Sequence, residues 1–461
     1  MTLARLQGLH VDKDSGELIK LKSKRGRLVP DLSNQDARSS ARSNRYVLQN
    51  HSASSLRGER VSKCCRVNID SSVHVLRSSF ESGNAAHYKG LMFCGSVWVC
   101  PVCGAKISER RSHELREAFD AAKKQKINVS HITFTFPHAK TDNLQTILNQ
   151  FLEAFKKFWD SAPMRRFKDE YGCIGRVRAL ETTYSDANGF HPHIHLLYFT
   201  KVKLSDVTDI QNQFLEVWND KLKRVGLPPA NSRGISIQNG DKAGEYINKF
   251  ADDSKLEKVT TKTGDAVTWD MADEITKLNS KSGRKKSLTP FDFLRLIDDP
   301  ESYGYDKKDI PRFRALFREY AKAFKGKSQL EWGRMSMDLR KNLGLKSAAT
   351  DEEILNEDVA EAKKFISLPR SVFSRLVPKK SNNYRDLRST FLTICESKSQ
   401  TEAQQFLHTA CFPELSKSDF SKLMRTAFEA APDDSVLQTR DCYKNTQWLA
   451  YQNRLMHMQY E

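Results

Sequence analysis

His191-Pro192-His193-Ile194-His195-Leu196-Leu197-Tyr198 is the stretch that decides how this chain folds and where its chemistry sits. On an extended strand successive side chains alternate between faces. His191, His193 and His195 therefore share one face. Ile194, Leu196 and Tyr198 share the other and can pack on a core. Asn188-Gly189, just upstream, is a strong hairpin-turn signal, and residues 174–184 before it have strand character. Folding that hairpin brings Glu181 near the histidine pair. Two imidazoles at i and i+2 can converge on one divalent ion through one nitrogen each. Glu181 then completes a two-histidine, one-carboxylate site with open positions. Such a donor set suits Mn²⁺ or Mg²⁺ better than a closed zinc cage. His191 is an alternative ligand or a support behind the pair. The competing reading is a row of ordinary surface histidines. Three at period two, opposite an apolar face and beside a carboxylate, weigh against it.

Outward from this hairpin, residues 129–136 read as a strand with alternating character. Residues 142–159 read as a helix whose Leu144, Ile147, Leu148, Phe151, Phe155 and Phe158 keep helical spacing. A second helix is predicted over 205–225, with Val207, Ile210, Phe214, Val217 and Trp218 on one face, and a short strand over 234–238. A further helix begins near Asp241. The order β-α-β-β-α-β predicts an α+β fold with a ferredoxin-like core, an antiparallel sheet backed by helices. The last helix carries Tyr246 and Lys249, which share a face at i and i+3. A lysine beside a phenol can lower its pKa or neutralise a phosphate. On its own such a pair is weak, since amphipathic helices contain many. Its place directly after the histidine fold gives it weight.

The 461 residues allow two to four domains, at roughly 100–200 residues each. Lys plus Arg number 75 against 57 Asp plus Glu, a net charge of +18. The excess clusters, as at residues 281–286, and favours a polyanionic partner through counterion release. No stretch approaches the ~20 apolar residues of a membrane span. The N-terminus shows no signal-peptide core, so a cytosolic protein is expected. There thiols stay reduced, and the nine cysteines read as free or metal-bound. Cys100-Pro-Val-Cys103 has knuckle spacing, Cys94 lies upstream, and Cys64 or Cys65 supplies a fourth thiolate. Four such thiolates predict a structural Zn²⁺ site. His74 and His87 are substitute ligands. Lys106, Arg110 and Arg111 follow the knuckle and are candidate DNA contacts.

These residues together resemble the HUH endonuclease superfamily, specifically the plasmid rolling-circle replication initiators. His131-Ile-Thr-Phe-Thr-Phe-Pro-His138 resembles the first initiator motif, Gly189-Phe-His-Pro-His-Ile-His195 the HUH motif, and Tyr246-Ile-Asn-Lys249 the tyrosine motif. The cysteine-rich run 90–106 is similar to a segment common in such initiators, and the likeness covers about 61–345. The resemblance implies His193 and His195 as metal ligands with Glu181 as third, Tyr246 as nucleophile, Lys249 as its helper, and Cys64 in preference to Cys65. It implies single-stranded DNA at a replication origin as substrate, flanking duplex DNA, and a host helicase and polymerase as partners. No Walker-type loop is present to unwind DNA. In conjugative relaxases the tyrosine precedes the HUH motif; here it follows. One departure stands out. Some single-tyrosine initiators carry an acidic residue one helical turn before the tyrosine, where this chain has Lys242. The alternative functions are an HUH transposase or mobilisation relaxase, and a non-catalytic zinc-bearing DNA-binding regulator.

The domain expectation is a largely disordered basic arm over 1–60, a zinc-binding element over 61–112 and an endonuclease domain over 113–254. A helical extension follows over 255–345, then a helical C-terminal domain over 346–461.

Overall fold

The protein was analysed as a computed structural model that describes residues 35–80, 83–238, 287–333, 337–356, 362–378 and 386–429, with short strands at 9–11, 18–20, 259–260 and 266–267. It is a mixed α+β molecule with antiparallel sheets. No helix among the described residues is long and apolar enough to cross a membrane.

The central sheet is built from the segments that flank the histidine strand. In sequence these are β3 (Asn128–Phe134), α3 (Leu144–Trp159), α4 (Ala162–Glu170), β4 (Cys173–Ser185), β5 (Gly189–Thr200), α5 (Val207–Arg224) and β6 (Ile235–Gln238). In space, β4 pairs with β5, β5 with β3, and β3 with β6, all antiparallel. A two-residue strand, β7 (Leu330–Glu331), extends the β4 edge. Local chemistry sets the helix starts. Asn143 caps α3 by accepting from the Thr146 amide, Ser161 caps α4, and Asp206 caps α5.

Alternation then decides which side of the sheet is filled. Ile132, Phe134, Ile194 and Leu196 point to one face and are buried there. Phe134 meets Phe155, Phe158 and Trp218 edge-on at centroid distances of 5.3, 5.1 and 5.4 Å. Trp218 donates its indole N–H to the Thr135 carbonyl, so its burial leaves no unpaired donor. Helices α6 (Pro290–Asp298) and α7 (Ile310–Phe324) complete this core. On the other face α2 (Pro101–Lys124) covers Val129, Leu197 and Phe199 through Leu115 and Phe119. The histidines lie on this second face, further along β5.

A second, three-stranded sheet joins distant parts of the chain. β1 (Ser72–Phe80) pairs with β2 (Gly83–Lys89) on one side and with β8 (Lys363–Pro369) on the other. Helices α10 (Arg370–Leu376), α11 (Leu387–Ser397), α12 (Gln400–Cys411) and α13 (Lys417–Glu429) pack with it around a separate core. This redraws two expected boundaries. The segment 72–89, expected within the zinc element, belongs to one unit with 363–429, which was expected to be purely helical. The run Lys363-Lys-Phe-Ile-Ser-Leu-Pro369 is too short for its strand character to outweigh the charged helical pattern before it.

The expected disordered arm also differs. Residues 35–55 form α1, with Tyr46, Val47 and Leu48 buried within it and Leu56 buried just after it. Apolar periodicity misses this helix because much of its buried face is polar: Gln49, Asn50, His51 and Ser52 are all buried. Their partners explain how. Gln49 donates to the carbonyls of Val61 and Cys64, and Ser52 to that of Val99. Arg388 and Asp386, both fully buried, form a 2.6 Å ion pair. Arg388 also donates to the Cys65 carbonyl and to Asn50, while Asn50 donates to Asp386. One guanidinium thus ties α11 to α1 and to the cysteine loop. Arg388→Ala strands a buried carboxylate, and a loss of about 3–5 kcal/mol is expected. Urea unfolding of the full chain measures it.

Candidate metal centres and their surroundings

The β4–β5 hairpin turns at Gly189, whose φ is +76°. A Cβ there would meet the Lys140 backbone at 3.0 Å, so glycine is required for both conformation and space. The resulting register sets Glu181 directly opposite His193, Ala179 opposite His195 and Thr183 opposite His191. Glu181 is thereby held on the histidine face.

Both rings then converge on one oxygen. Nε2 of His193 and Nε2 of His195 each lie 3.0 Å from Glu181 Oε2. Nδ1 of His193 donates to the His191 carbonyl at 3.1 Å, which turns Nε2 toward the carboxylate. Nδ1 of His195 faces His131 Nε2 at 3.0 Å, and the two rings stack. Donor atoms ~3 Å apart suit adjacent positions around an octahedral ion with bonds of ~2.1 Å. The three residues form one group with metal-ligand geometry. Glu181 is buried, and both histidines are partly open to solvent, so ligand positions remain accessible.

His191 stands apart from this convergence. Its ring nitrogens meet Thr135 Oγ1 at 2.9 Å and His138 Nε2 at 2.7 Å. Its backbone carbonyl, rather than its ring, serves His193. Burial, and then the nearby His193 and His138, hold the His191 pKa at about 3, so the ring is neutral. The unfolded chain, with a pKa near 6.5, takes up a proton that the fold refuses. Stability is therefore full above pH 6.5 and falls as pH drops toward 3, by up to about 1.4 kcal/mol per pH unit. Denaturation midpoints from pH 7.5 to 4.5 are expected to fall less steeply in His191→Gln than in the wild type.

His131, Thr133, Thr135 and His138, which the sequence shows only as parts of one motif, all border the site. The signal was present. His131 and Thr133 on β3 and Thr135 just past its end form a polar row at period two, and the register sets Thr133 opposite His195. Tyr246 and Lys249 lie outside the described residues, as do Asp241 and Lys242.

The second centre precedes α2. Cys64 Sγ lies 3.5 Å from both Cys100 and Cys103, and Cys94 Sγ 3.8 Å from Cys103. All four are buried and mutually close. Tetrahedral zinc with ~2.3 Å bonds sets its sulfurs ~3.8 Å apart, so this donor set fits Zn²⁺. Backbone amides assist: Cys94 N–H points to Cys64 Sγ, and Cys103 N–H to Cys100 Sγ. Cys100 also caps α2, where the helix dipole favours a thiolate. Cys65 has φ +54°, and its thiol is not part of the four-sulfur group. His74 bonds instead to Ser367, on the second sheet. The three basic residues after the knuckle face neighbours within the chain. Lys106 donates to the Leu355 carbonyl, Arg111 binds Glu114 and Asp351 at 2.8 Å, and Arg110 approaches Glu114.

The family model described as replication protein matches residues 87–375, well over half of the chain. This chain belongs to that family, the plasmid rolling-circle replication initiators. The initiator is 25% identical to a protein rep of Streptomyces lividans over 319 residues, 58% of this chain and 67% of the relative. It is 25% identical to a protein rep of Lentilactobacillus hilgardii over 188 residues, covering 40% of this chain and 57% of that one. A neomycin resistance protein of Streptomyces cyanogenus matches at 25% over 178 residues, 32% of this chain and 41% of the relative. No solved structure matches the initiator.

Proposed function

We propose that this initiator nicks one DNA strand at its origin by metal-assisted attack of Tyr246. It then holds the 5′ end covalently and later rejoins strands. The observation that carries this reading is the convergence of His193 Nε2 and His195 Nε2 on Glu181 Oε2. The strand order supports it. β6, β3, β5 and β4 lie side by side as the fourth, first, third and second strands of the β-α-β-β-α-β unit, the arrangement of a ferredoxin-like HUH core. Gln238, at the end of β6, pairs with His131 beside His195. Tyr246 follows Gln238 closely in sequence, so the chain leaves the sheet next to the metal group.

A bound Mn²⁺ or Mg²⁺ would polarise the scissile phosphoryl oxygen and offset its developing charge. The Tyr246 phenol loses its proton, and its oxygen forms a bond to phosphorus. The bond to the 3′ oxygen breaks, and that oxygen takes up a proton as a free 3′-OH, fit to prime synthesis. Lys249, three residues after Tyr246 in sequence, neutralises phosphate charge. In the reverse step a 3′-OH attacks the phosphotyrosine and releases the phenol. Zn²⁺ on Cys64, Cys94, Cys100 and Cys103 is structural. A host helicase and polymerase supply unwinding and synthesis.

A labelled single-stranded origin oligonucleotide with Mn²⁺ tests the reading. Wild-type protein is expected to give a covalent adduct on a denaturing gel, and Tyr246→Phe none. An adduct with Tyr246→Phe overturns the nucleophile; no adduct with wild type overturns the enzymatic reading.

A further inference from the structure

Lys106, Arg110 and Arg111, after the cysteine knuckle, each have a partner within the fold, and a second group of cations lies along α7. The loop from the end of α1 to Cys64 runs alongside α7. Arg314 donates to the hydroxyls of Ser54 and Ser55, and Arg318 to the Ser55 carbonyl. Lys325 meets Glu59 at 3.3 Å. Arg57, exposed, is close enough to Arg314 to act on its charge, and Lys63, also exposed, lies one turn past Glu59. On one face of α7 Arg314, Arg318 and Lys322 recur at helical spacing, Lys325 follows the end of the helix, and Arg318, Lys322 and Lys325 are exposed. The charges feel one another. Burial, then Arg318 and Arg57, push the Arg314 pKa down. Clustering like charges opposes folding, and an anionic partner relieves it.

The stripe also has a direction. Arg312, at the start of α7, binds Asp186 and the Tyr184 hydroxyl at the tip of the β4–β5 hairpin. That hairpin carries Glu181 and His193. Helix α7 thus starts at the hairpin tip, and its row of cations leads from Arg314 along the helix to Lys325 beside Glu59. We infer that this stripe, from α7 to the loop before Cys64, binds the phosphate backbone of duplex DNA flanking the cut site. The inference rests on the DNA-binding part of the proposed function and needs none of its chemistry. Phosphate contacts fix position and carry no sequence code, which suits a row of lysines and arginines.

The test is equilibrium binding of the full chain to a labelled duplex across a salt series. The triple variant Arg57→Gln, Lys63→Gln, Lys322→Gln removes exposed cations only. Each lost phosphate contact lowers the log–log salt slope by about 0.9, so a fall of about 2.7 is expected, with affinity down at least about tenfold. A control of equal charge, Arg166→Gln, Lys201→Gln, Lys223→Gln, should keep both slope and affinity. Unchanged slope and affinity in the first triple overturn the inference, as do equal losses in the control or no duplex binding by wild type. Formation of the Tyr246 adduct on single-stranded DNA is read separately. The stripe variant is expected to retain it, so failure of the duplex result is distinct from failure of the nicking reading.

Discussion

Replacing Glu181 with alanine is expected to leave a folded protein whose cleavage of single-stranded origin DNA is slower by about a thousandfold or more. Glu181 sits opposite His193, and its Oε2 is the point on which both imidazoles converge. Without it, two neutral rings remain to hold a divalent ion, with no carboxylate to balance its charge. The loss corresponds to about 4 kcal/mol of transition-state stabilisation, within what a metal supplies by polarising a phosphoryl oxygen. Folding should survive, because the substitution takes away a buried carboxylate and leaves without that partner only two histidine rings that are partly open to solvent. A Mn²⁺ titration separates lost metal binding from lost structure. Glu181→Gln should need far more Mn²⁺ and recover part of its rate when given it. A variant that is equally impaired at all Mn²⁺ concentrations, yet binds the ion as wild type does, would show that Glu181 is no ligand.

The second large effect concerns Cys103→Ser. Cys103 Sγ is the thiol that approaches both Cys64 and Cys94. Structural zinc contributes about 10–16 kcal/mol to the folding of isolated zinc-finger peptides. Here part of that support comes from the surrounding core. Trp98 packs on Phe324 at 4.7 Å between centroids and donates to the Lys327 carbonyl, while Tyr320 donates to the Trp98 carbonyl. A loss of several kcal/mol is therefore expected. At about 2–4 °C per kcal/mol that lowers Tm by more than 10 °C, with the emission of buried Trp98 shifting to the red. Metal analysis should find zinc lost from the variant. A variant without zinc that melts with the wild type would refute a structural role for the site.

The legibility of this fold follows from which forces leave a periodic trace. The β4–β5 hairpin was readable because its turn needs Gly189 and its strand alternates histidine with Ile194 and Leu196. Helix α3 was readable because its buried stripe is apolar. Helix α1 was not, since Gln49 and Ser52 are buried through bonds to the carbonyls of Cys64 and Val99, and Asn50 through Asp386 and Arg388, far along the chain. Nor was the pairing of β8 with β1, which joins Lys363–Pro369 to Ser72–Arg77 across nearly three hundred residues. Composition carries no record of such long-range ladders. The choice between Cys64 and Cys65 also needed three dimensions, because a difference of one residue in so long a spacing to the knuckle decides nothing. Intramolecular ion pairs leave no periodic trace either. Arg111 reads as a DNA contact in sequence, and the fold ties it to Glu114 and Asp351.

Everything proposed for the chemistry depends on a divalent ion held by Glu181, His193 and His195. Pulsed electron paramagnetic resonance on the Mn²⁺-loaded full chain, with histidine labelled by ¹⁵N, observes those bonds directly. Two histidine nitrogens coupled to the manganese are expected in the wild type, and one in either His193→Ala or His195→Ala. A spectrum with oxygen ligands alone, or one unchanged by both substitutions, would contradict the assignment of this centre.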